Sequence, residues 1–205
     1  MANFFQGDGK AALTRAIVAF EAATAVELVI AVRPRSDTYP HVAILAGVVM
    51  ALATTTFLLY GEPEFDLHWF LVAPLVVGLA AGFAASTGGL QWLLTRAATR
   101  EQGVLRAARA TFVEKSMADT RGRTGVLLYV SLAERVAVMI ADLGVRQAIP
   151  PAVWDPAAAA VTDAVARGAT AVELGPKIAA LAAVAAKFLP RAADDVNELP
   201  DEVGA

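Results

Sequence analysis

Val42-Ala-Ile-Leu-Ala-Gly-Val-Val-Met-Ala-Leu-Ala-Thr-Thr-Thr-Phe-Leu-Leu-Tyr60 and Trp69-Phe-Leu-Val-Ala-Pro-Leu-Val-Val-Gly-Leu-Ala-Ala-Gly-Phe-Ala-Ala-Ser-Thr-Gly-Gly-Leu-Gln-Trp-Leu-Leu94 contain no Lys, Arg, Asp or Glu. Between them lies the acidic link Gly61-Glu-Pro-Glu-Phe-Asp-Leu-His68. A hydrocarbon layer ~30 Å thick takes about 20 apolar residues of helix to cross. Both runs reach or approach that length. A helix buried in a soluble core is the competing reading, but two such runs joined by so short a polar link favour a transmembrane helical hairpin.

Basic residues set the expected orientation. The link carries Glu62, Glu64 and Asp66 and no basic residue, whereas Arg33, Arg35, Arg96, Arg100, Arg106 and Arg109 lie on the other side of the two spans. Positive charge near span ends favours the cytoplasm, so both termini are expected inside, at a cell inner membrane. Tyr39 and Trp92 fall at the inner boundary, Tyr60 and Trp69 at the outer one, where aromatic anchors belong. Near an anionic leaflet, Arg96 and Arg100 are placed to meet lipid headgroups. The first ten residues lack a basic segment followed by an apolar one, so no secretory leader is read there.

Small residues mark the hairpin's inner face. Ala43, Gly47 and Ala51 recur every four residues in the first span, as do Gly78 and Gly82 in the second. Spacing of this kind allows close helix approach in lipid. A stripe serves one close contact, either within the hairpin or with a partner's helix; packing within the hairpin is the favoured choice. Pro74 is expected to bend the second span.

The flanks read as α/β. Lys10–Thr24 has Leu13, Ile17, Phe20 and Thr24 on one helical stripe. Glu27-Leu-Val-Ile-Ala-Val32 is a short β-branched run, a strand buried on both faces. Arg33–Pro40 reads as a loop because of its two prolines. Residues 95–118 form a helix with a stripe of Leu105, Ala108 and Phe112. Val126–Ser131 and Arg135–Ala141 form an antiparallel pair. Pro151–Arg167 is a helix ended by Gly168, and a last helix starts at Gly175-Pro176 and covers Lys177–Leu189. Arg191–Ala205 is acidic and expected to be a solvated, partly disordered tail. A lone strand at Glu27–Val32 has unpaired backbone groups, so its ladder partners must come from beyond residue 124. The chain therefore divides into a helix and strand at 1–41, the hairpin at 42–94 (spans 42–60 and 69–94), the remainder of the same α/β domain at 95–190, and the tail at 191–205.

Composition narrows the chemistry. The 205 residues include no cysteine, which removes disulfides, thiolate nucleophiles and thiolate metal sites. A net charge of −3 offers no general attraction for nucleic acid. His41 and His68 fall at opposite membrane boundaries and cannot share a site. No phosphate-binding Gly-rich loop is present. Arg121 and Arg123, flanking a glycine before a strand, are candidate anion-binding residues. The opposing reading makes them solvated charges or partners of Asp119, Glu134 or Asp142. Asp37 and Asp142, at strand ends, are candidate cation-binding residues, but calcium takes 6–8 oxygen ligands and the rest are not evident. Trp154 reads as a packing anchor. No catalytic residue and no metal site are assigned.

Phe20-Glu-Ala-Ala-Thr-Ala-Val-Glu-Leu-Val-Ile-Ala-Val32, Ser36-Asp-Thr-Tyr39, and Arg121-Gly-Arg-Thr-Gly-Val-Leu-Leu-Tyr-Val-Ser-Leu-Ala-Glu-Arg135 with Ile140-Ala-Asp142, Gly144 and Trp154 resemble a TPM domain. With the tail segment Asn197-Glu-Leu-Pro-Asp201, they are most similar to the bacterial membrane branch of that family, in which two spans interrupt the domain after its first strand. The resemblance implies a three-layer α/β/α domain with a small mixed sheet. Its functional implications are diverse: phosphatase-like proteins linked to photosystem repair, an auxiliary protein of a receptor channel, and calcium binders. No family metal-ligand motif can be matched here residue by residue, so calcium is left open as a cofactor and none is assigned. The expected function is that of a membrane-anchored, non-enzymatic accessory or assembly subunit of a larger membrane complex, with photosynthetic and respiratory assemblies as hosts in view. A metal-assisted phosphatase-like hydrolase using Arg121, Arg123 and Asp142, or a calcium-binding module, is the alternative.

Overall fold

The computed structural model describes residues 8–87, 91 and 95–191. Two compact units emerge. One joins residues 1–36 to 101–205, and the other spans Asp37–Arg100. The hairpin is thus an insertion within one α/β unit. The unit boundaries fall near 36 and 100, outside the expected 41 and 94.

In the α/β unit, α1 (Asp8–Ala23) leads into β1 (Glu27–Arg33). The chain returns from the hairpin through α4 (Ala97–Glu114) and a 3₁₀ turn at Met117–Asp119. It continues with β2 (Gly125–Ser131), β3 (Val136–Ala141), α5 (Leu143–Ala148), α6 (Pro151–Ala166) and α7 (Ala171–Ala185). The partner required for β1 is β2, paired in parallel from Glu27–Gly125 to Arg33–Ser131. β2 also pairs antiparallel with β3, giving the order β1-β2-β3 and a small mixed sheet.

Both faces of this sheet are covered. Leu28, Ile30, Val32, Val126, Leu128 and Val130 pack with Leu13, Ile17 and Phe20 of α1 and with Val161, Leu174 and Ile178 of α6 and α7. Val29, Ala31, Leu127 and Tyr129 pack on the other face with Val104, Ala108 and Met117. Alternation along β1 and β2 sends successive side chains to opposite faces, and each face finds an apolar layer. That is why their sequences read as continuous apolar runs.

Several boundaries move for identifiable reasons. α7 starts at Ala171, six residues before the expected Lys177, and Gly175 and Pro176 lie inside it. Thr170 and Glu173 form a capping box: Glu173 N–H donates to Thr170 Oγ1 at 3.3 Å, and Thr170 N–H to Glu173 Oε2 at 2.7 Å. That reciprocal pair satisfies two first-turn donors and outweighs the backbone bond lost at the proline. Arg135 belongs to the turn, not to β3, with a left-handed φ of 54°. The buried line of α4 is Val104, Ala108 and Thr111, one position round from the expected Leu105–Ala108–Phe112 stripe. Gly168, at φ 88°, ends α6 as expected. The expected tail falls almost wholly on residues 192–205, outside the described residues.

The second unit holds α2 (Pro40–Tyr60) and α3 (Trp69–Ser86), each long and apolar enough to span a membrane. Pro40 takes the first helical position, where a missing N–H is no loss, so α2 starts two residues before Val42. The described part of α3 stops at Ser86. Its expected extension to Leu94 falls partly on residues 88–90 and 92–94, which lie outside the described residues.

Candidate functional site

At the end of the sheet where β2 begins, Arg123 and Asp142 form a two-bonded ion pair. Nε and Nη2 each donate to one carboxylate oxygen at 2.9 Å. Local backbone geometry aims the guanidinium there. Arg123 has φ 52°, its N–H donates to Thr120 O at 3.0 Å, and Gly144 N–H returns to Arg123 O at 2.9 Å. A Cβ on Gly144 would collide with the Gly122 carbonyl, so this approach requires glycine. The bond from Arg123, and then the N–H of Leu143, hold the Asp142 carboxyl below its ordinary value against the opposing effect of burial. The same carboxylate raises Arg123.

The sequence reading offered Arg123 to an anion and Asp142 to a cation. The structure brings these two together and pairs them with each other. Arg121 is exposed in the same loop. Asp37 lies in the other unit and accepts from Thr38 N–H at 2.8 Å. Among the described residues, no group of three or more His, Asp or Glu side chains is placed to hold a metal.

At the opposite end, where β1 and β2 finish, lies a cluster that the sequence reading did not bring together; it had offered Glu134 only as a partner for Arg121 or Arg123. The Ser36 hydroxyl donates to Ser131 Oγ at 2.6 Å and sits 3.0 Å from the Tyr129 hydroxyl. Ser131 Oγ donates to Glu134 Oε2, and Ser36 N–H reaches both Glu134 oxygens at 3.4 Å. Tyr129, Ser131 and Glu134 are buried and Ser36 is half-buried. Leu132 N–H and Ala133 N–H donate to the carbonyls of Arg33 and Pro34 at 3.0 Å. These bonds clamp the Arg33–Ser36 segment to the β2–β3 turn at the last residue before the hairpin unit. Open α/β sheets often bind ligands beyond the carboxyl ends of their strands. Here that position is filled by side chains bonded to one another.

In the hairpin unit, the small residues meet across the helix pair. A Cβ on Gly47 would lie 2.9 Å from Gly78 O, one on Gly78 2.9 Å from Gly47 O and 3.1 Å from Ala51 Cβ, and one on Gly82 3.1 Å from Ala43 O. The pairings Ala43–Gly82 and Gly47–Gly78 make α2 and α3 antiparallel, with backbones in contact. Packing within the hairpin therefore uses the whole stripe of Ala43, Gly47, Ala51, Gly78 and Gly82. His41 lies in the first turn of α2 and His68 at the start of α3, at opposite ends of the antiparallel hairpin, with no shared site.

No family model matches the chain, and no curated protein sequence matches it. Among solved structures it is similar to the NMR structure of the BA42 protein from the psychrophilic bacterium Bizionia argentinensis. That match has a TM-score of 0.59 and 18% identity, and covers 98% of this chain and 94% of that one. At such identity the likeness concerns the fold alone, and it agrees with a mixed α/β architecture.

Proposed function

We propose that this protein is a membrane-anchored, non-enzymatic accessory or assembly subunit of a larger integral-membrane complex, with a TPM-like α/β domain on the cytoplasmic side of the inner membrane. The hairpin carries this reading. Its large side chains point outward, with Leu71, Leu79 and Phe83 at 77, 67 and 73% exposure, while its glycines point inward. Water disfavours such a surface and hydrocarbon does not. Three consecutive threonines, otherwise a polar interruption, are accommodated within α2. Thr54, Thr55 and Thr56 donate to the carbonyls of Met50, Ala51 and Leu52 at 2.8–3.0 Å. No hydroxyl there needs water.

Support for an accessory role comes from the α/β unit, where Arg123 and Asp142, two of the charges a hydrolase or calcium site would use, are engaged with each other. Because the small-residue stripe is used inside the hairpin, a partner in the bilayer would meet the outer faces of Ile44, Leu45, Leu71 or Leu79. The arginine distribution supports cytoplasmic termini, with Arg96 and Arg100 beside anionic headgroups.

Purification in a gentle detergent followed by native mass spectrometry tests the proposal. The expected species contains this chain with other integral-membrane chains in fixed ratio. A chain that stays in the alkaline-washed membrane pellet but always purifies free of other proteins overturns the subunit role. A chain that leaves the pellet overturns the anchor. Hydrolysis of a generic phosphate ester, lost in Arg123→Ala, would instead select the hydrolase alternative.

A further inference from the structure

The two edges of the sheet differ. Glu27–Val32 of β1 are all buried, whereas all six residues of β3 are half-buried. The register tells which β3 backbone groups face outward. Asp142 N–H donates to Gly125 O and Gly144 N–H to Arg123 O, both at 2.9 Å. Bonded and non-bonded pairs alternate along an antiparallel ladder. Continuing that alternation through the register, the bonded pairs are Leu127–Ile140, Tyr129–Val138 and Ser131–Val136. Ala137, Met139 and Ala141 therefore turn their N–H and C=O groups away from β2, and among the described residues no strand pairs with them.

Edge strands are ordinarily protected by lysine, proline, a bulge or short length. Val136-Ala-Val-Met-Ile-Ala141 has neither charge nor proline. The apolar surface continues beside it. Leu143, just beyond the strand, is 48% exposed, and Val153 of α6, the helix that packs on β3, is 40% exposed.

We propose that β3 pairs antiparallel with β3 of a second copy of this chain about a two-fold axis, forming one six-stranded sheet. A strand that fits this edge must bring its own outward-facing backbone groups and an uncharged sequence, and β3 meets both conditions. An isologous contact then satisfies both copies at once. Parity allows a near-complete overlap in two ways. An axis at Val138 would set Ala141 opposite Arg135, which lies in the β2–β3 turn at φ 54° and not in the strand, so one of the three outward-facing residues is left unpaired. An axis at Met139 sets Ala137 opposite Ala141 and Met139 opposite Met139 of the second copy, so all three outward-facing residues are paired within the strand. Met139 is therefore the axial residue. This contact lies in the α/β unit and does not rest on the membrane reading.

Because the natural chain has no cysteine, a single introduced thiol reports the contact. In Met139→Cys, a short bis-maleimide applied to unfractionated cell lysate is expected to give a product of twice the chain's mass. Val172→Cys, on the exposed face of α7, is expected to stay monomeric. Adding Ala137→Pro removes an N–H that faces the second copy and no bond to β2, and should lower the Met139→Cys product about tenfold or more. Absence of the Met139→Cys product overturns the proposal. So does a product of any other mass, an equal product from Val172→Cys, or a folded Ala137→Pro chain that cross-links undiminished. If Ala137→Pro does not fold, native mass spectrometry of the natural chain decides: an even copy number supports the pairing and a single copy overturns it.

Discussion

The two units of this protein use the same kind of residue in opposite directions. In the α/β unit, Leu28, Leu127, Leu128 and Leu174 are shielded from solvent and most charged side chains are exposed. In the hairpin, Leu45, Leu71, Leu75 and Leu79 are exposed, and glycines form the contact between helices. Burial of apolar surface drives the first arrangement. It has no counterpart between helices in lipid, where close packing of small residues does the work instead. The inversion is what two different solvents would produce within one continuous chain.

The largest effect expected from this contrast is a pair of leucine truncations. Leu128→Ala empties a fully shielded site and should cost about 2–5 kcal/mol. Leu79→Ala trims a side chain that faces outward and should stay within roughly 0.5 kcal/mol. Thermal unfolding of both variants in detergent checks this, and equal losses would erase the proposed difference in solvent. Next comes the reverse experiment. Gly78→Leu places bulk against Gly47 O and should separate α2 from α3, at a cost of about 1–3 kcal/mol or more. A cysteine pair across the helices, at Ala43 and Gly82, should lose disulfide formation in that variant. Retained formation would mean that the glycine contact is dispensable.

A third prediction concerns where the two units join in sequence. Glu134→Ala leaves Ser131 Oγ and Ser36 N–H without their acceptor, and a buried polar group deprived of its partner costs about 1–3 kcal/mol. The expected signature is local. Hydrogen exchange should rise over Arg33–Ser36 and Leu132–Glu134 while β2 stays protected. An unchanged exchange pattern would show that the cluster does not hold this segment.

These regions were not equally legible in the sequence. The hairpin could be read because length and absence of charge are local properties, and the glycine stripe because its period is local too. The pairing of β1 with the strands after residue 124 followed from the need of a single strand for ladder partners, whatever its distance in sequence. The Ser36–Ser131–Glu134 cluster offered no such signal. Its members are separated by 95 and 98 positions, and isolated Ser and Glu residues carry no period. At Thr170 the signal was local but masked. Gly175-Pro176 reads as a stronger punctuation mark than the capping box five residues upstream, although the box wins because it satisfies donors that a proline merely lacks. Arg123 and Asp142 were each visible as candidates. Whether they served two ligands or one another depended on the turn at Arg123 and the glycine at 144, which only the folded backbone defines.

That ion pair gives the smallest expected effect and the one most specific to the α/β unit. The Asp142 carboxyl is held below its ordinary value, chiefly by the bond from Arg123. The unfolded chain therefore takes up a proton at higher pH than the folded one. It follows that the stabilisation is present above the unfolded carboxyl value of about 3.9 and fades as pH falls through the lower folded value. Glu173, held low by the Thr170 N–H, titrates in the same direction, so the informative quantity is a difference between variants. The loss in melting temperature on acidification should be smaller in Asp142→Asn than in the natural chain, by a few degrees at most because the guanidinium is half exposed. Arg123→Ala should narrow the loss in the same way, and added salt should narrow it in the natural chain alone. If all three proteins lose the same stability on acidification, the pair contributes nothing to folding and its geometry reflects only the turn that presents it.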